Sequence, residues 1–101
     1  MKKRFIVCSN PSTDEQNKAF VEFLDKNSLN WWHWLANTWL IIDDQDQFTA
    51  TTLRSGIKDL FPGIHMMVFE LPKDGTNWAG YGPNGEDNNN MFTWIKNNWD
   101  T

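Results

Sequence analysis

The sequence predicts an α+β sandwich: a four-stranded antiparallel sheet, ordered 4-1-3-2, with two helices on one face. Three observations lead there. Short apolar runs and amphipathic segments alternate in the order strand, helix, strand, strand, helix, strand, and right-handed crossovers then fix the strand order and place both helices on the same side. Four of the seven tryptophans, Trp31, Trp32, Trp34 and Trp39, crowd into nine residues, as aromatic residues do on a pleated, half-buried surface. The Ala36-Asn37 pair interrupts that run and marks the turn of a central hairpin. At 101 residues the chain makes one domain, 1–101, with a core over 4–72 and a C-terminal loop and short helix over 73–101.

Arg4 to Cys8 is a short run of strand formers that ends at Ser9-Asn10-Pro11, where proline holds its predecessor extended. Cys8 reads as a small core residue of this first strand. Ser12-Thr13-Asp14-Glu15 matches a capping box with Ser12 as cap and Glu15 reaching back. Ala19, Phe20, Phe23 and Leu24 then recur at helical spacing, so the first helix lays an apolar face on the sheet and ends near Asn27-Ser28. The hairpin Trp31 to Ile42 supplies strands two and three, with Trp32 and Trp34 on one side and Trp31 and His33 on the other. Asp43-Asp44-Gln45-Asp46 closes it. A calcium loop would need glycine at its sixth position and glutamate at its twelfth, where Phe48 and Arg54 stand, so the acidic run reads as a solvated turn.

Thr49 caps a second helix with the apolar stripe Ala50, Leu53, Ile57, Leu60 and Phe61, broken by Pro62-Gly63; Gly56 weakens it only slightly. Ile64 to Leu71 is the fourth strand, apolar on both faces and closed by Pro72. Beyond it, the glycines of Trp78 to Gly85 indicate a loop pinned by Trp78 and Tyr81, and Asn90 caps a short helix from Met91 to Trp99. The same glycines make no dinucleotide fingerprint, since they follow no first strand-helix unit and include Pro83.

The net charge of −4 argues against a protein built to neutralise a nucleic-acid backbone; Lys2-Lys3-Arg4 is the single candidate basic patch. One cysteine forms no internal disulfide, and the basic start leads to four apolar residues rather than a signal sequence or a span. These features place the protein in the cytoplasm, with no membrane association. His33 and His65 fall on opposite edge strands, with two strands between them, roughly 14 Å apart. That is too far to share a metal, and neither has a nucleophile beside it, so neither a catalytic residue nor a metal site nor a cofactor is expected.

This βαββαβ plan, ferredoxin-like in topology, resembles the small CRISPR-associated adaptation endonucleases (Cas-two-like) and SinR-like proteins. The resemblance is carried by Arg4-Phe5-Ile6-Val7-Cys8-Ser9-Asn10, by the Trp31 to Ile42 hairpin, and by the Trp78 to Trp99 tail with Phe92-Thr93-Trp94-Ile95. It implies a metal-dependent endonuclease whose metal ligand is an aspartate near the end of the first strand. Ser9 stands at that position here, with no carboxylate beside it, which points to a catalytically silent relative.

The residues with a positive case for binding are Trp31, Trp32, His33, Trp34, Trp39, Trp78 and Tyr81. Flat rings pack a core, anchor a protein interface or stack on bases, in that order of expectation here. The sheet face without helices looks apolar and calls for a cover, and a symmetric homodimer burying tryptophans is the expected one. The function read from the sequence is a non-enzymatic module that binds a protein partner through its aromatic surface, of the size and charge of phage or host-defence regulators. The alternatives are a nuclease of the resembled type and a nucleotide or oligonucleotide binder.

Overall fold

A computed structural model describes residues 2–72 and 93–99, the Trp34 side chain excepted. In chain order it contains β1 (Lys3–Ser9), α1 (Asp14–Lys26), β2 (Asn30–Leu35), β3 (Thr38–Asp43), α2 (Ala50–Lys58) and β4 (Met66–Glu70), followed by a π-helical turn at Ile95–Trp99. The strands form one antiparallel sheet ordered β2-β3-β1-β4, the 4-1-3-2 order of a ferredoxin-like fold.

Both helices start where a threonine side chain supplies the missing acceptor. The Thr49 hydroxyl accepts from the Thr52 amide while the Thr52 hydroxyl accepts from Thr49 N–H. On α1 the cap is Thr13 rather than Ser12: its hydroxyl accepts from Gln16 N–H at 3.1 Å, and the Gln16 carboxamide takes Thr13 N–H at 2.9 Å. The sequence satisfies the capping pattern twice, one residue apart. Ser12 is diverted because its hydroxyl bonds the Asn17 side chain at 2.6 Å. Helix α1 ends as Ser28 enters the left-handed region, and Leu29 N–H then bonds Leu24 O.

Alternation along the strands sorts the apolar side chains into two clusters. Phe5 and Val7 of β1, with Trp39 and Ile41 of β3, meet Phe20 and Leu24 of α1, Leu53 and Ile57 of α2, and Phe61. Trp32 and Ile42 point the other way and meet Ile95 and Trp99 of the C-terminal turn. The two helices approach closely at Gly56, where a Cβ would lie 2.7 Å from Phe23 Cζ; glycine there permits the contact as well as costing helix propensity.

Four expectations shift. The fourth strand is shorter than Ile64 to Leu71, and His65 lies just before it, exposed, with its carbonyl accepting from Asn10 N–H. Cys8 is half-buried on the face away from the helices, because Phe5 and Val7 take the inward phase of β1. Asp43 is fully buried rather than solvated: its carboxylate turns inward to accept Phe48 N–H at 2.8 Å. The C-terminal turn covers part of the face expected to be bare.

Candidate functional site

The register of β1, β3 and β2 decides what each hairpin residue faces. Trp31 pairs with Ile41, and Trp39 pairs with Val7, so Trp31 and Trp39 look toward the helices. Trp39 is 1% exposed. Its ring stacks on His33 at 3.6 Å and 4° and tilts against Phe20 at 4.5 Å, with Trp31 at 5.7 Å. His33 is fixed by an Nδ1–H bond to Thr38 O at 3.0 Å, the carbonyl requiring the proton on that nitrogen. Trp31 donates Nε1–H to Asp25 Oδ1 at 3.1 Å, tying the β2 edge to α1. At 1% exposure and stacked on His33, the Trp39 ring offers no open face to a nucleobase.

Trp32 looks the other way and is also covered, at 5% exposure. It lies beneath the C-terminal turn with Ile42, Ile95 and Trp99, ringed by Ile6, Leu40, Leu71 and Trp94. Polar groups clamp the turn. Trp94 Nε1–H donates to Asn30 Oδ1 and Asn30 Nδ2–H to Asn98 Oδ1, both at 3.0 Å. Arg4, 8% exposed, sends one guanidinium N–H to Trp99 O at 3.3 Å and another to Pro72 O at 2.7 Å, and lies 5.6 Å from the centre of the Trp99 ring. Lys2 Nζ donates to Asn98 O. Two cations thus meet the carbonyl end of the turn, where helix partial charge is negative.

The basic triplet Lys2-Lys3-Arg4 is therefore engaged within the fold. Lys3 bonds Asp46 at 2.6 Å and Phe48 O at 2.8 Å. The hydrogen bond to Asp46 raises the Lys3 ammonium above its ordinary value; burial opposes the rise, and the charges of Asp46, Glu70 and Asp43 add to it.

The exposed apolar residues lie elsewhere on the outer face. Leu35 pairs with Thr38, Thr38 with Cys8, and Cys8 with Met67, so these four side chains form one row across the whole sheet. The next row runs Trp32, Leu40, Ile6, Phe69. The C-terminal turn sits on the β2–β3 part of this second row. It leaves Leu35 at 50%, Met67 at 58% and Phe69 at 48% exposed. At the end of the first row, Cys8, Ser9, Asn10, His65, Met66 and Met67 line an open depression of ≈ 330 Å³. Among the described residues no three His, Cys, Asp or Glu side chains are arranged to hold a metal ion. Ser9 Oγ, Trp39 Nε1 and Asp43 Oδ1 are buried without a hydrogen-bond partner.

No protein-family model, curated protein or solved structure matches the chain. Its functional reading therefore comes from the geometry above.

Of the residues singled out by sequence, Trp31, His33 and Trp39 come together on the helix side and Trp32 lies on the other face. The Trp34 side chain, Trp78 and Tyr81 fall outside the described residues, as do all of residues 73–92. Leu35, Met67 and Phe69 were not candidates. For Met67 and Phe69 the signal was present in the fourth strand, whose Met66-Met67-Val68-Phe69 is apolar in both alternation phases although one helix layer buries only one of them. No helix among the described residues is long and apolar enough to cross a membrane.

Proposed function

We propose that this protein is a non-enzymatic module that binds a protein partner on the uncovered half of its outer sheet face. The observation that carries the reading is the row Leu35–Thr38–Cys8–Met67 with Phe69 beside it: three large apolar side chains about half exposed on a sheet whose Trp31, Trp32 and Trp39 are already packed internally. Aromatic and methionine side chains on a rigid platform suit a protein interface, because a flexible thioether fits varied partner surfaces and the sheet loses little entropy on binding. Small size and acidic charge suit a cytoplasmic regulator or inhibitor of a larger assembly, such as a phage protein acting on host defence. The nuclease implied by the resemblance lacks its carboxylate at Ser9, and stacking of a nucleotide on Trp39 would have to displace His33.

Affinity purification from a lysate of the source organism tests this with three baits: the wild type, Met67→Glu on the strip, and Glu22→Lys on the exposed side of α1. A partner retained by the wild type and Glu22→Lys but lost from a folded Met67→Glu supports the reading. A partner held equally by all three, or none above a blank resin, overturns it.

A further inference from the structure

We infer that two copies of this chain join through the free edge of β4 in an isologous antiparallel pair, making one continuous eight-stranded sheet across two protomers. This goes beyond the partner-binding reading, which concerns the sheet face and not its edge.

The two edges of the sheet differ. β2 carries a register irregularity between Trp32 and Leu35, and its Asn30 is engaged by Trp94 and Asn98. A bulge of this kind spoils an edge as a template. β4 pairs with β1 in unbroken register from Phe5↔Glu70 to Ser9↔Met66, and among the described residues no strand lies on its other side. Its five residues, Met66-Met67-Val68-Phe69-Glu70, hold no lysine, proline or bulge, three of the devices by which exposed edges are kept from pairing; the one charge, Glu70, finds a partner in the pairing below.

Alternate residues of β4 turn their backbone groups outward. Asn10 N–H bonds His65 O, and Leu71 N–H bonds Arg4 O. Hydrogen-bonded pairs alternate along an antiparallel ladder, so His65, Met67, Phe69 and Leu71 direct their N–H and C=O groups to β1. Met66, Val68 and Glu70 direct theirs to the open edge. A two-fold axis through Val68 then sets Val68 opposite Val68 of the second copy and Met66 opposite its Glu70, twice. Those three pairs exchange two bonds each, satisfying every outward group of the strand.

The side chains are complementary in this register. Met67 falls opposite Phe69 of the second copy, in the closely spaced type of pair, so the two apolar residues touch side by side in sulfur–aromatic contacts while their outer surface stays open. On the helix side, Met66 lines a groove of ≈ 270 Å³ with Ala50, Thr51, Arg54, Met67 and Val68. The Glu70 of the second copy, placed opposite Met66, brings its carboxylate to the mouth of that groove beside the exposed Arg54. The symmetric pair forms on the other side. In the joined sheet the outer apolar row of one copy runs on into that of the next.

Sedimentation velocity on the full chain, raised to about 0.5 mM because a short edge interface is expected to bind weakly, reads the outcome. The wild type should pass from monomer to dimer. Val68→Pro removes an outward N–H and no bond to β1, a substitution edge strands tolerate, and should stay monomeric with an unchanged circular dichroism spectrum. Glu70→Arg should weaken the dimer at least tenfold, and Arg54→Glu combined with Glu70→Arg should restore it, which a merely unfolded variant could not do. A wild type that remains monomeric throughout overturns the inference. So does a dimer that survives both Val68→Pro and Glu70→Arg, since the copies would then meet elsewhere.

Discussion

Replacing Trp99 with alanine separates a docked C-terminal turn from a loosely attached one. Trp99 is 3% exposed and packs with Trp32, Ile42 and Ile95. Truncating a buried aromatic of this size to alanine costs about 3–5 kcal/mol. The ring also lies 5.6 Å from the Arg4 guanidinium, so the substitution removes a cation–π contact from a cation that is only 8% exposed. The remaining polar holds on the turn run to backbone carbonyls, Asn98 and Trp94, and they do not replace the indole. The loss is bounded by the free energy with which the turn docks, because past that point the turn detaches and the sheet stays folded. Urea denaturation should therefore show a loss near 3 kcal/mol, with Tm lower by roughly 12 °C or more. The emission of the remaining tryptophans should shift to the red as Trp32 meets water. Lys96→Ala, exposed on the same turn, should stay within about 0.5 kcal/mol of the wild type. A loss for Trp99→Ala below about 1 kcal/mol, with unshifted emission, would refute the docking of the turn on the β2–β3 part of the outer face.

Three further outcomes follow from particular contacts. Gly56→Leu should lose about 1–3 kcal/mol by overpacking, since a Cβ there meets Phe23 Cζ at 2.7 Å; the loss should shrink in a Phe23→Ala background, measured as a denaturation cycle. Thr13→Ala should cost about 1 kcal/mol as a lost cap and exceed the cost of Ser12→Ala, whose hydroxyl holds only the Asn17 side chain. The raised Lys3 ammonium contributes stability that is complete below its ordinary pKa of 10.5 and is lost as pH rises through the higher folded-state value; thermal melts over the alkaline range should fall less steeply for Asp46→Asn.

The sheet was legible in the sequence because three kinds of local signal agreed: a hairpin turn at Ala36-Asn37, two helical stripes, and proline or acidic stops at the ends of the runs. The alternation of Trp31 and His33 against Trp32 was legible too. Which pair faced the helices was not, because that depends on the pairing of Trp39 with Val7 across the sheet. The Ser12 and Thr13 caps could not be separated by pattern, since both place Glu or Gln three residues on; a side-chain bond to Asn17 decided it. Asp43 looked like one more turn acid, and only the backbone amide of Phe48 draws it inward. The exposed strip was missed because tryptophan count drew attention to the hairpin, while a row made by Leu35, Cys8 and Met67 joins residues from three separate strands. That row exists only once the register is fixed.

The hairpin builds the fold, and on the proposal above the strip does the binding. Photo-crosslinking from a benzophenone side chain placed at Met67, and in a second protein at Trp31, compares the two surfaces directly in cells of the source organism. Adducts to another protein from position 67 and none from position 31 are the predicted result. Adducts from position 31 alone would contradict the account and return the working surface to the tryptophans.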